Sequence, residues 1–142
     1  MKIYSNILFT LLIVFFAASC KKAETKALEN GEVELTLNNC GAPKNQGNTV
    51  PENFTVCFTK LVTESRCPIG AECIWEGYAQ CEFSTNINGE NKSFRLATLK
   101  NFLLSTDTVI NGSKISLLTV LPYLDITKPA SEPYRAVIKI EN

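Results

Sequence analysis

From Glu32 onward the apolar residues of this chain recur at every second position, and that period restricts it to strands. Val33, Leu35 and Leu37 alternate with Glu34 and Thr36; Phe54, Val56 and Phe58 alternate with Thr55, Cys57 and Thr59. Successive side chains of a strand face opposite sides, so each run buries one face and wets the other. Ala79, Cys81 and Phe83 repeat the pattern, Asn88-Gly89 offers the residue types of a tight hairpin turn, and Phe94 and Leu96 bring the chain back. A second Asn-Gly pair at 111–112 precedes residues 114–121, whose apolar content predicts a strand covered on both faces. Tyr134, Ala136, Ile138 and Ile140 make a last alternating strand. No segment after residue 32 holds a helical period. The expected fold is therefore all-β: a small β-sandwich or partly open barrel of about six to eight short, mostly antiparallel strands.

The N-terminus reads as an export signal. Lys2 opens a short basic segment, residues 7–18 are an almost unbroken apolar run, and Ala17-Ala18-Ser19 supplies small residues for a signal peptidase. A bilayer core needs roughly 20 apolar residues, which this run does not reach, so no transmembrane helix is predicted. Ala17-Ala18-Ser19-Cys20 resembles the lipobox of bacterial lipoproteins, with Ala17 in the place where Leu is usual. That resemblance implies that Cys20 is acylated and becomes the first residue of the mature chain. Residues 20–31 are rich in Lys, Glu, Ala and Asn, which reads as a tether and as the only candidate for a short helix. As a flexible coil of about 11 residues it would reach roughly 18 Å. Residues 32–142 form one domain, and Lys21 after the acylated position is compatible with the outer membrane.

Composition narrows the function. Without Lys2 the mature chain carries 13 of the 14 basic residues against 14 acidic ones, and it has no histidine. A near-neutral balance with no basic cluster beyond the tether excludes a nucleic-acid surface. Mechanisms that need imidazole are excluded as well. Asp and Glu are scattered, and no Ser or Thr has a base of the usual kind. No cofactor is expected. The expected partners are a membrane, through the lipid anchor, and an unknown envelope protein or small ligand. Residues 41–52 and 125–133, each carrying prolines, are the longest irregular stretches and the candidate binding loops.

Five cysteines remain besides Cys20: Cys40, Cys57, Cys67, Cys73 and Cys81. In an oxidising envelope compartment a disulfide is the default, and a domain this small gains from cross-links. Cys67 and Cys73 enclose Pro-Ile-Gly-Ala-Glu, so a bridge there closes a reverse turn between two strands. Zinc knuckles space paired ligands by two to four residues and recruit further Cys or His, and thiol redox centres favour a two-residue gap at a helix start. Neither pattern is present. Parity places Cys81 with Ala79 and Phe83 on the apolar face and Cys57 with Thr55 and Thr59 on the polar one. This argues for Cys40–Cys57 and a buried free Cys81. A hairpin count from the Cys67–Cys73 turn instead places Cys57 nearly opposite Cys81, and a bulge near Thr59-Lys60 would shift either argument. The parity argument is preferred.

Trp75, the only tryptophan, follows Cys73 closely enough to fold over the bridge, with Gly77 allowing close backbone approach. Glu64 and Arg66 flank Cys67 and are suited to a local ion pair, to hydrogen bonds with the loop backbone, or to a ligand. Ser65-Arg66-Cys67-Pro68, then Cys73-Ile74-Trp75-Glu76-Gly77 and Ala79, resemble the D-S-R-C-P-x5-C-x-W-x-G-x-A signature of small uncharacterised bacterial lipoproteins. The resemblance extends more loosely over most of residues 54–140, and Glu64 stands where those proteins carry Asp. It implies an all-β fold and an envelope location, and it carries no catalytic residue. Asp107-Thr108-Val109 resembles an Asp-Ser/Thr-aliphatic O-glycosylation site, which marks Thr108 as a candidate, although a plain turn is the simpler reading. The functional expectation is a tethered, non-catalytic β module with a binding or envelope-maintenance role. The alternatives are a protease inhibitor presenting the 67–73 loop and a carrier of a small hydrophobic ligand.

Overall fold

A computed structural model of the chain describes residues 28–29, 31–42, 54–87, 89–128 and 131–141. The export signal, Cys20, nearly all of the tether and most of the 41–52 loop lie outside these residues. The described residues contain no helix. They form eight strands: β1 (Glu32–Thr36), β2 (Cys40–Gly41), β3 (Thr55–Glu64), β4 (Ala79–Ile87), β5 (Glu90–Ala97), β6 (Asp107–Ile110), β7 (Ser113–Leu121) and β8 (Arg135–Glu141). The all-β expectation holds, and every pairing of strands is antiparallel.

Two four-stranded sheets, ordered β1-β8-β7-β6 and β2-β3-β4-β5, pack face to face. The alternating positions supply the shared core. Val33, Leu35, Ile115, Val120, Ala136, Ile138 and Ile140 come from the first sheet; Phe54, Val56, Phe58, Cys81, Phe83 and Leu96 come from the second. The ring centroids of Phe58 and Phe83 lie 5.4 Å apart, and those of Phe83 and Phe94 lie 5.6 Å apart, so aromatic rings fill the centre of the second sheet's inner face. The register puts Phe83 opposite both Phe58 and Phe94.

Both expected turns join neighbouring strands. Ile110 pairs with Ser113 across Asn111 (φ +50) and Gly112 (φ +83), the two positive φ values of a tight hairpin. Gly89 has φ +84 between Ile87 and Glu90, while its neighbour Asn88 lies outside the described residues.

The last part of β7 corrects the expectation of a strand covered on both faces. Ser113, Ile115 and Leu117 point inward, and a register irregularity between Leu117 and Thr119 then shifts the inward parity to Val120. Leu118 is thereby turned out and exposed. A bulge places two residues against one, so an apolar run that looks two-sided is a one-sided strand with a phase change. β3 carries comparable irregularities, between Phe58 and Lys60 and between Leu61 and Thr63.

The strand order also gives the sandwich two unlike ends. The tight turns at Gly89 and at 111–112 lie at one end. Gly31 joins them, its carbonyl accepting from Ile140 N (2.9 Å) just before β1 begins. Three of the four long connections, 65–78 between β3 and β4, 98–106 between β5 and β6, and 122–134 between β7 and β8, lie at the other; the fourth, 42–54 between β2 and β3, falls mostly outside the described residues.

Candidate functional site

The loop end is held by Arg66, a residue that sequence reasoning placed in a local role and the structure places in a long-range one. Arg66 is only 4% exposed. Its Nε donates to Glu64 Oε1 (2.8 Å) and its Nη2 to Glu64 Oε2 (2.5 Å), while the Arg66 backbone N donates to Glu64 Oε1 (3.2 Å). Beyond this local pair, Nη1 donates to the Val120 carbonyl (2.5 Å) and Nη2 to the Pro122 carbonyl (3.2 Å). The guanidinium also lies 4.2 Å from the centroid of the Tyr123 ring. One side chain from the first loop thus ties the end of β7 and the start of the third loop. Burial by itself would lower the Arg66 pKa, but the Glu64 hydrogen bonds and charge, with Tyr123, reverse this and hold it above its ordinary value.

Backbone bonds extend the tie. Ile69 N donates to Leu124 O (2.8 Å) and Ile126 N to Ile69 O (3.2 Å), a parallel bridge between the first and third loops. The second loop is fastened beside them: Thr98 N donates to Ala79 O (2.9 Å), Ala79 N to Thr98 Oγ1 (3.0 Å) and Ala97 N to Ser105 O (2.8 Å). Asn101 Oδ1 accepts from the backbone N of Leu103 (2.8 Å) and of Leu104 (2.9 Å), shaping that loop's tip.

Cys67 and Cys73 are bonded to each other, as their spacing predicts, and Cys40 is bonded to Cys57. The register explains the second bridge: Cys40 lies directly opposite Cys57, while Cys81 lies opposite Leu61. Parity was the correct guide. The Cys57–Cys81 alternative fails because Cys57 pairs with Ser84 in the β3–β4 ladder, and Cys81 is a buried free thiol.

Within the first loop the strand ladder continues irregularly. Ser65 N donates to Tyr78 O (2.9 Å) and Cys67 N to Glu76 O (2.8 Å). Gly77 sits in this narrow gap at φ +67, where a Cβ would lie 1.8 Å from Ser65 O. Only glycine fits there.

Trp75 does not fold over the bridge. It is 59% exposed, with its ring edge-on to Tyr78 at 6.3 Å between centroids. The Gly77 turn brings the backbone of Glu76 against Cys67 and leaves Trp75 on the outside of the loop. Its neighbour Ile74 is fully exposed, and the other loops match it with Phe102 (93% exposed) and Leu103 on the second and Tyr123 and Ile126 on the third. Ile126 lies in the expected 125–133 binding loop, whereas Ile74, Phe102, Leu103 and Tyr123 were missed because large apolar side chains in loops have no period to announce their direction.

The remaining candidates lie elsewhere. Thr108 is half-buried in β6, opposite Ile115, so the plain-turn reading of residues 107–109 is overturned by their pairing with β7. Two clefts mark the loop end. One of about 280 Å³ is lined by Ile69, Tyr123, Leu124 and Lys128 among others; one of about 200 Å³ lies between Arg66, Gly77, Thr98, Leu118 and Tyr123. Among the described residues no group of three or more His, Cys, Asp or Glu could hold a metal ion. No protein-family model, curated protein or solved structure matches the chain.

Proposed function

We propose that the protein is an exported lipoprotein, acylated at Cys20 and held at the outer membrane, whose β domain is a non-catalytic binding module that engages a partner through its loop end. The observation that carries this reading is the exposure of Ile74, Trp75, Phe102, Leu103, Tyr123 and Ile126 on three loops at one end of the sandwich, the first and third tied together by Arg66 and the second fastened through Thr98 and Ser105. Exposed apolar side chains gathered at one place mark interaction surfaces, and loops that are already rigid lose little entropy on docking. The direction of the chain supports it too: the tether joins the domain at Gly31, at the pole opposite the loops. An anchored domain would hold its apolar end away from the anchor.

The test is a photo-crosslinking amino acid placed at position 102 in the full-length protein in its own envelope, with position 92 on β5 as the control. A discrete adduct from position 102 and none from position 92 is the expected result. Equal labelling from both positions would refute a loop-end module. Turnover by the pure protein in a hydrolase panel, abolished by a single Ser, Asp or Glu substitution, would refute the non-catalytic part.

A protease-inhibitor reading is favoured by one observation, the full exposure of Ile74 next to a bridged cysteine. Lack of inhibition across serine, cysteine and metalloproteases would dispose of it. The carrier reading has no such support, since the side chains of Phe54, Phe58, Phe83 and their neighbours occupy the space between the sheets.

A further inference from the structure

We infer that the Cys40–Cys57 bridge is a redox latch: a dithiol that reduces it releases β2 and uncovers an apolar seam between the two sheets at Val33 and Leu35. Nothing in this device depends on what the loop end binds.

β2 is two residues long, and strand alternation points those residues opposite ways. Gly41 pairs with Val56 of the second sheet and faces inward against the first: a Cβ there would lie 2.8 Å from Leu35 Cδ2 and 3.2 Å from Val33 Cγ1. β1 and β2 are the edge strands of their sheets, so Gly41 closes the seam over two side chains that are 1% and 7% exposed. Cys40 faces the other way. It is exposed, and its partner Cys57 is half-buried on the outer face of β3, so the bridge lies outside the core that β2 covers.

Among the described residues little else holds this strand. Just before it, Asn38 N donates to Phe58 O (2.7 Å) and Phe58 N to Asn39 O (3.1 Å), and beyond Cys40 only Gly41 pairs with β3. An edge element with so few bonds opens locally at far less cost than the whole domain, and a cross-link suppresses that opening. The other bridge covers no core. With Cys67–Cys73 broken, the first loop keeps the bonds of Cys67 N to Glu76 O, Ile69 N to Leu124 O and Ile126 N to Ile69 O, and its Ile74 and Trp75 are already in solvent.

The chemistry is thiol–disulfide exchange. One thiolate of the dithiol attacks Cys40 Sγ, the more accessible sulfur, and Cys57 leaves as a thiolate that takes up a proton. The second thiol, once deprotonated, attacks the reductant's own sulfur in the mixed disulfide, and Cys40 leaves and is protonated in turn. The dithiol gives up two electrons and becomes a disulfide, while Cys40 and Cys57 end as two thiols.

Dithiothreitol is the probe, added to the purified full-length protein, with alkylation mass spectrometry and hydrogen exchange as the readouts. The expected result is that Cys40 and Cys57 become alkylated, that exchange at residues 38–41 and at Phe58 quickens at least about tenfold while β4 and β7 keep their protection, and that anilinonaphthalene sulfonate fluorescence rises and falls back on reoxidation. C40S/C57S should show the open state with no reductant, and C67S/C73S should respond to dithiothreitol as the wild type does. Unchanged protection at 38–41 after the bridge is broken would make it a brace and overturn the inference. So would loss of protection in β4 and β7, in the reduced protein or in C40S/C57S, and so would thiols at 40 and 57 that appear only once the protein is unfolded.

Discussion

The guanidinium of Arg66 and the carboxylate of Glu64 meet side-on from positions only two residues apart, with Nε 2.8 Å from Oε1 and Nη2 2.5 Å from Oε2. Both side chains are nearly out of solvent, at 3% and 10% exposure, so neither charge can be left alone cheaply. Arg66→Met should cost about 3–5 kcal/mol, because it strands the Glu64 carboxylate and removes a donor from the Val120 and Pro122 carbonyls. Urea unfolding monitored by circular dichroism measures this. The double variant with Glu64→Leu should recover part of the loss, since no buried charge then remains uncompensated.

Replacing both Cys67 and Cys73 with serine should lower stability by about 2 kcal/mol while keeping an all-β spectrum. A loop this short constrains the unfolded chain less than a longer one would. Mass spectrometry of the non-reduced protein should link these two residues in the wild type.

Trp75→Ala should cost less than about 1 kcal/mol, because an exposed ring leaves no cavity behind. A large loss of stability would mean that the ring is buried in solution. The same exposure predicts red-shifted emission from the free protein.

Gly77→Ala and Gly112→Ala should separate sharply although both glycines have positive φ. At Gly112 an added Cβ meets nothing, so only the backbone preference is lost, about 1 kcal/mol. At Gly77 the same atom strikes Ser65 O, and the first loop must open, so at least about 2 kcal/mol is expected. Thermal unfolding of the two variants side by side is the measurement.

Burial, helped by the Glu64 charge and only partly opposed by Arg66, pushes the Cys81 thiol up to about 12 from an ordinary 9.0. Native Cys81 should therefore resist alkylation at pH 8 and react once the protein is unfolded. Above pH 9.0 the unfolded thiol releases its proton while the native one keeps it. The unfolded state then binds fewer protons, and this group's contribution to stability falls between pH 9 and 12. Denaturation midpoints across that window, compared with Cys81→Ala, isolate the effect.

What could be read from the sequence was what a short window determines. The alternation around Phe54, Val56 and Phe58 fixes which face is buried, and the same parity sorts Cys57 from Cys81. The Asn-Gly pair at 111–112 shows its turn through the φ it permits. Long-range features were not legible. Nothing local tells Arg66 that Val120, 54 positions away, will supply its carbonyl. Leu118 looked like half of a two-sided core until the shift in β7 turned it outward, and Trp75 was assigned to packing by its proximity to a cysteine. In both cases composition was right, and backbone direction, set by a bulge or by a glycine at φ +67, decided the side.

The pairing of β1 with β8 has a mechanical consequence. Glu32 through Thr36 face Lys139 through Arg135 in unbroken antiparallel register, and the chain that leads toward the N-terminus leaves β1 at the pole opposite the loops. A pull between that end and a ligand gripping the loops acts along the strands. It loads the five β1–β8 residue pairs together in shear rather than peeling them one at a time. β1 is thus placed to resist tension in the direction in which the domain would feel it if anchored and ligand-bound as proposed.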